Sequence, residues 1–113
     1  MKKRKNIITV AIDSPAAAGA GTQAKYIAKH YNLLYLDTGK IYRLIGKLKI
    51  EYQNDFNNNL IKKYVDKVNL NILNDKTLLS EEVAKSASLI AKNLRIRKLV
   101  KNFQLNCAYN PPL

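Results

Sequence analysis

Nine small residues near the N-terminus have the types and order that could bind phosphate groups. They are Ser14, Pro15, Ala16, Ala17, Ala18, Gly19, Ala20, Gly21 and Thr22. Successive backbone N–H groups in a tight turn that leads into a helix form a cradle for anions. The glycines and alanines keep the side chains small, so the backbone can approach phosphate oxygens closely. Thr22 is placed to offer its hydroxyl to Mg²⁺.

Two positions depart from the usual phosphate loop, G-x-x-x-x-G-K-[ST]. Ser14 replaces the leading glycine, and Ala20 replaces the lysine that would contact the β- and γ-phosphates. Phosphate binding by the backbone N–H groups tolerates these changes better than phosphoryl transfer does, because transfer depends on the lysine. Taken alone, the segment is equally consistent with a small-residue turn that joins a strand to a helix.

Two further segments make the resemblance to a known family specific. "LDTGKIYR" spans Leu36 to Arg43, and "LLSEEVAKSASLIAKNLRIRKLVKNFQ" spans Leu78 to Gln104. With the loop, they resemble the bacterial cytidylate kinases, which combine G-P-x-x-x-G-K-G-T, L-D-[ST]-G-x-x-Y-R and a later segment of the form E-V-x-x-x-A-S-x-[VI]-A, then V-R-x-x-L-x-x-x-Q. The resemblance runs from about residue 8 to residue 112, and Leu79 stands where the family usually has an arginine.

The resemblance implies a nucleoside-monophosphate kinase that transfers the γ-phosphoryl group of ATP to CMP or dCMP with Mg²⁺. ATP would bind at the nine loop residues, and Mg²⁺ at Thr22. The resemblance assigns the acceptor nucleotide to Asp37, Thr38, Arg43, Ser88 and Arg97. Arg43 would clamp the CMP phosphate, and Ser88 and Arg97 would contact cytosine. Since the loop lysine is absent, Lys40 is the candidate for a substitute catalytic cation, ahead of Lys25.

The elements that must position these residues follow a β-loop-α-β-α order. Ile7 to Ile12 predicts a buried strand, and a stripe of Ala24, Ile27, Ala28 and Tyr31 predicts a helix. Residues 33–37 predict a second strand, and residues 39–49 a helix with Ile41, Leu44, Ile45 and Leu48 on one side. This order predicts an α/β fold of the P-loop kinase type, with a parallel sheet flanked by helices.

The second half of the chain is predicted to be mainly helical. A helix is expected near residues 60–68, then a short strand or a helix end over residues 68–73. Ser80 is a plausible N-cap for a helix with a stripe of Val83, Ala87, Ile90, Ala91 and Leu94. A second helical stripe comprises Ile96, Leu99, Val100 and Phe103. We therefore divide the chain into a P-loop core, residues 1–50, and a nucleotide-binding helical region, residues 51–113.

The composition and charge indicate what kind of partner the protein binds. The net charge is +12, with the cations spread along the chain rather than in one block, so nucleotides are favoured over nucleic acid as partners. No apolar run is long enough for a bilayer span, and Cys107 is the single cysteine. We expect a cytoplasmic monomer that binds small-molecule nucleotides and no membrane.

The sequence lacks residues that the family uses in phosphoryl transfer. The family's later G-R-D strand and lid arginines do not occur within these 113 residues. We therefore expect the N-terminal half of a cytidylate kinase, a truncated and poorly active fragment with an incomplete sheet. The alternatives are another small P-loop kinase, such as an adenylate or shikimate kinase, and a non-catalytic nucleotide- or nucleic-acid-binding remnant.

Overall fold

The computed structural model describes residues 20–107, and side chains from residue 23 onward. Within this range the chain forms six α-helices: α1 (Ala20–His30), α2 (Thr38–Tyr52), α3 (Asn58–Asp66), α4 (Leu70–Leu73), α5 (Glu81–Ile90) and α6 (Leu94–Cys107). Short 3-10 helices lie at Gln53–Asp55 and Lys76–Leu79. The chain divides into two compact units, Met1–Asp37 and Thr38–Leu113, and the predicted boundary after residue 50 falls inside α2.

In the first unit, α1 ends in a Schellman motif. Asn32 has a φ of 54°, and its N–H donates to the carbonyl of Lys29, while the N–H of Leu33 donates to Ala28. Asparagine tolerates this left-handed conformation better than most residues. Ala28 is buried as predicted, but Tyr31 is 59% exposed because the helix has already ended at His30. The prediction that Tyr31 completes the apolar stripe was therefore wrong.

The predicted sheet does not appear among residues 20–107. Residues 33–37 follow α1 without being assigned as a strand. Their predicted neighbour, Ile7 to Ile12, lies outside the described residues, so the parallel sheet stays a prediction. The strand alternative for residues 68–73 was wrong, because Asn69 caps the short helix α4 by accepting a hydrogen bond from the N–H of Ile72 at 2.9 Å.

In the second unit, α2 and α5 pack directly against each other. The four apolar positions predicted for α2 are all buried: Ile41, Leu44, Ile45 and Leu48. Gly46 lies against the backbone of α5 and accepts a hydrogen bond through its carbonyl from the Ser86 hydroxyl at 2.9 Å. The absence of a side chain at Gly46 therefore sets how closely the two helices approach.

The remaining helices complete the core of this unit. Ile61 and Val65 of α3 are buried, as are Ile96 and Val100 of α6. Leu94, however, is 80% exposed, which contradicts its place in the predicted stripe. The reason is a break between the two helices, since α5 ends at Ile90 and α6 begins at Leu94. The Asn93 side chain accepts hydrogen bonds from the N–H groups of residues 95 and 96 at 2.9 and 3.2 Å, so Leu94 does not continue the apolar face of α5.

None of the helices between residues 20 and 107 is both long enough and apolar enough to cross a membrane.

Candidate functional site

The predicted phosphate loop lies mostly outside the described residues. Only its last three positions, Ala20, Gly21 and Thr22, are described, as the first turn of α1, and their side chains are not. The first N–H groups of a helix have no partner within the helix and carry partial positive charge. The loop therefore leads into a helix N-terminus as predicted, whereas its contacts with phosphate or Mg²⁺ stay a prediction.

The acceptor motif spans the junction of the two units. Asp37 is half-buried at the end of the first unit. Burial of the Tyr35 phenol and, as a second cause, the negative charge of the Asp37 carboxylate raise the pKa of Tyr35. Thr38 is the first residue of α2. Arg43, one and a half turns further, is half-buried, and its Nη1 donates to the carbonyl of Leu78 at 2.9 Å.

The hydrogen bond to Leu78 positions Arg43 and uses only one of its N–H donors. A guanidinium carries five N–H donors, and a bidentate contact with a phosphate uses two of them. The structure gives Arg43 one side-chain hydrogen bond within the described part of the chain. Arg43 is therefore held by the segment before α5 and keeps donors for an anion.

Two lysines of α2 bind the same segment. Lys40 donates to the Asn74 side chain at 2.9 Å, and Lys47 donates to the Thr77 hydroxyl at 2.8 Å. Lys47 also lies 3.7 Å from a carboxylate oxygen of Glu51 and 3.9 Å from one of Asp75. Lys40, the candidate catalytic cation, thus has a partner in its own unit.

The segment that these cations hold has its own internal order, which sequence analysis missed. The Asp75 carboxylate accepts from the backbone N–H and the hydroxyl of Thr77, both at 2.9 Å. These two hydrogen bonds lower the pKa of Asp75; desolvation opposes them, and the positive charge of Lys47 adds a smaller lowering effect. The pattern D-x-T at residues 75–77 was the available signal, since Asp favours such capping turns.

The structure brings the other two predicted acceptor residues to one end of α5. Ser88 is exposed on α5 and lines a surface hollow of about 480 Å³ together with Ala84, Lys85 and Leu89. Arg97, on α6, donates from Nη1 to the carbonyl of Ala91 at 3.3 Å. Arg97 therefore contacts the C-terminal end of α5 but does not line the hollow at Ser88.

A resident metal site is not visible in the described residues. Between residues 23 and 107, no three His, Cys, Asp or Glu side chains come together in a way that could hold a metal ion.

Comparisons with known proteins agree with the sequence motifs. The profile of the family described as cytidylate kinase matches residues 10–112. The cytidylate kinase of Bartonella tribocorum is 41% identical over 105 residues, which are 91% of this chain and 48% of that protein. A cytidylate kinase of Rhodopseudomonas palustris is 36% identical over 104 residues, with 91% and 49% covered.

A third relative has the same coverage. The cytidylate kinase of Bradyrhizobium diazoefficiens is 33% identical over 104 residues, with 91% of this chain and 49% of that protein covered. The chain therefore spans about half the length of the curated relatives that it matches. No solved structure matches the chain significantly. Because the family's profile covers nearly the whole chain, the protein belongs to the cytidylate kinase family.

Proposed function

We propose that this chain contributes the ATP-binding loop and the acceptor-nucleotide residues of a kinase that phosphorylates CMP or dCMP. Its family implies a P-loop kinase fold. The observation that carries the proposal is the arrangement in the second unit. Arg43 is held in place on α2, and Arg97 contacts the C-terminal end of α5, the helix that carries Ser88. The family motifs predict phosphate and base contacts for these residues.

Arg43 has the chemistry to bind the acceptor phosphate. Its Nη1 is fixed by the Leu78 carbonyl, and its planar fork can still form two parallel hydrogen bonds to phosphate oxygens. A half-buried guanidinium loses less of its attraction to solvent screening than an exposed lysine does. Arg43 would hold the CMP phosphate in position while one of its oxygens attacks the γ-phosphorus of ATP and ADP leaves.

Ser88 and Arg97 have the chemistry to recognise cytosine. Arg97 can donate to the O2 and N3 acceptors of the ring, and the Ser88 hydroxyl can accept from the exocyclic amino group. The exposed position of Ser88 in its hollow leaves the hydroxyl accessible to a ligand. A purine presents a different pattern of donors and acceptors, so this pair would select cytosine over adenine.

The ATP site would be formed by the predicted phosphate loop. The nine loop residues would bind the phosphates through backbone N–H groups, and Thr22 would contribute its hydroxyl to Mg²⁺. Because Ala20 replaces the loop lysine, less charge on the γ-phosphate is stabilised, and we infer low turnover. Such an enzyme would work as a cytoplasmic monomer, where nucleotides are available and a lone cysteine stays reduced.

Lys40 stays our candidate for the missing cation. Its present partner is the exposed Asn74 amide, a contact that a phosphate group could displace. We expect Lys40→Ala to lower phosphoryl transfer by more than Lys25→Ala, since Lys25 lies on the exposed side of α1, 5.8 Å from the centre of the Tyr35 ring. Equal, negligible effects of the two substitutions would remove Lys40 from the mechanism.

The experiment that tests the acceptor site is a calorimetric titration of the chain with CMP, cytidine and AMP. We expect CMP to bind more tightly than either. Arg97→Gln should weaken CMP binding by about 10- to 100-fold, because a charge-assisted hydrogen bond contributes about 1.5–3 kcal/mol. Lys101→Gln is the matched control, as this exposed cation of the same helix lies away from the hollow at Ser88.

The same titration separates the alternatives. Arg43→Gln should abolish the preference for CMP over cytidine, since it removes the phosphate contact. Tighter binding of AMP or shikimate than of CMP would favour another P-loop kinase. Binding to DNA or RNA that falls steeply with salt, without preference for CMP, would favour a nucleic-acid-binding remnant.

A further inference from the structure

We propose that a cleft between α3 and α6 is a further nucleotide-binding site, separate from the proposed ATP loop and CMP site, and that it takes a nucleoside polyphosphate. The cleft has a volume of about 370 Å³, within the usual range for small-molecule sites of roughly 300–1,000 Å³. None of the described residues that the family motifs assign to CMP lines it. Both helices belong to the second unit, so the cleft is contained within one compact body.

The rim of the cleft is basic. Lys62 of α3 and Arg95 and Lys98 of α6 line it, against a single acidic residue, Asp66. The three cations are exposed, and within residues 23–107 none of their side chains forms an ion pair or hydrogen bond. Three cations facing one carboxylate leave a net charge of +2, which a phosphate chain would neutralise.

The floor of the cleft is apolar and contains an aromatic ring. Leu99 and Phe103 are half-buried and follow Arg95 at the i+4 and i+8 positions, so they lie on the same face of α6. Val65, which is buried, closes the side formed by α3. The exposed amide of Asn102 offers both donors and an acceptor.

These features together select the ligand class. A cationic rim alone would bind any anion, and an apolar floor alone would bind any flat ring. A nucleotide satisfies both, with its base against Phe103 and its phosphates on the cations, because stacking on an aromatic ring tolerates every base. The inference does not depend on the proposed kinase activity.

A fluorescent reporter placed in the cleft tests the proposal directly. The chain contains no tryptophan, so Phe103→Trp gives a single reporter on the cleft floor. The intact chain with this substitution is titrated with ATP, inorganic tripolyphosphate and adenosine. We expect a saturable change in emission with ATP, a weaker response to tripolyphosphate and little response to adenosine. If circular dichroism shows that Phe103→Trp lowers helicity, Asn102→Trp places the reporter at an exposed position of the same cleft.

Two charge-matched double variants distinguish ATP binding in the cleft from ATP binding to the overall positive charge of the protein. In the reporter background, Lys62→Gln with Lys98→Gln should raise the Kd for ATP about tenfold, since two of the three cations that would contact its phosphates are removed. Lys63→Gln with Lys101→Gln removes the same charge from exposed positions outside the cleft, and should change the Kd by less than twofold.

Three results would overturn the proposal. The first is no saturable change with ATP from either reporter position. The second is an equal loss of affinity in the two double variants, which would mean binding to the overall positive field. The third is a response to a short RNA oligonucleotide but not to ATP, which would identify a nucleic-acid surface instead. Failure of the acceptor site would appear separately, as CMP binding that is insensitive to Arg97→Gln.

Discussion

Substitution of Gly46 by alanine tests whether the contact between α2 and α5 sets the geometry of the acceptor site. A Cβ atom at this position would lie 2.7 Å from the backbone nitrogen of Ala87 and 3.1 Å from its Cα. Ordinary contact begins at 3.4 Å, so the two backbones must separate by about 0.7 Å. Backbone atoms cannot rotate away as the end of a side chain can, and α5 has to shift as a whole.

The expected loss of stability is the balance of three effects. Alanine favours the helix by about 1 kcal/mol relative to glycine. Overpacking of a well-packed contact costs about 1–3 kcal/mol. The hydrogen bond from the Ser86 hydroxyl to the Gly46 carbonyl, 2.9 Å long, would also lengthen, at a cost of about 1 kcal/mol. We therefore expect Gly46→Ala to lower the free energy of unfolding by about 1–3 kcal/mol.

Urea denaturation followed by circular dichroism measures this change, with Lys49→Ala as the control. Lys49 is an exposed residue of the same helix, so its substitution should leave the free energy of unfolding nearly unchanged. Since Ser88 follows Ala87 directly on α5, Gly46→Ala should also weaken CMP binding. A Gly46→Ala chain that is as stable as Lys49→Ala would refute the argument that this glycine fixes the separation of the helices.

Three further predictions concern the second half of the chain. Ser80→Ala should lower the free energy of unfolding by about 0.5–2 kcal/mol in urea denaturation, because the hydroxyl caps α5 at 3.2 Å; Ser88→Ala, exposed within that helix, should be nearly neutral. The folded-state pKa of Asp75 is lowered by hydrogen bonds from Thr77, so its contribution to stability is present above the ordinary carboxyl pKa of about 4 and is lost as the pH falls through the folded value. Asp75→Asn should therefore reduce the acid-induced fall in Tm below about pH 4, and an unchanged pH profile would contradict this. Burial raises the pKa of Cys107, so iodoacetamide should modify it more slowly at pH 8 in the folded chain than in urea, and equal rates would contradict the burial.

The parts of the fold that depend on local pattern could be predicted from the sequence. All four apolar positions assigned to α2 are buried, and Ser80 caps α5 as expected. Both predictions rest on interactions between residues three or four apart, and these are encoded in the order of the chain. The three motifs taken together, from the loop to Gln104, likewise identified the family.

Other features depend on contacts that sequence order does not reveal. The alternation over residues 68–73 fits a strand as well as the short capped helix that forms, and the Asn69 cap decides between them. The exposure of Leu94 follows from the break that Asn93 introduces before α6. The partner of Lys40 is Asn74, 34 positions away, and neither residue belongs to a pattern that would have predicted the contact.

The contrast between Lys40 and Arg43 bears on how the chain could work without its loop lysine. Both donate to the segment between α4 and α5, but Lys40 does so in an exposed contact and Arg43 in a half-buried one. The acceptor of Lys40 is a neutral, exposed amide, and a charged phosphate oxygen is the stronger acceptor for an ammonium group. A phosphate within reach would therefore displace Asn74 from Lys40. Arg43 need not exchange its partner at all, because its remaining donors suffice for a phosphate. In the proposed kinase, Arg43 would hold the acceptor in place, and Lys40 would move toward charge that develops during transfer.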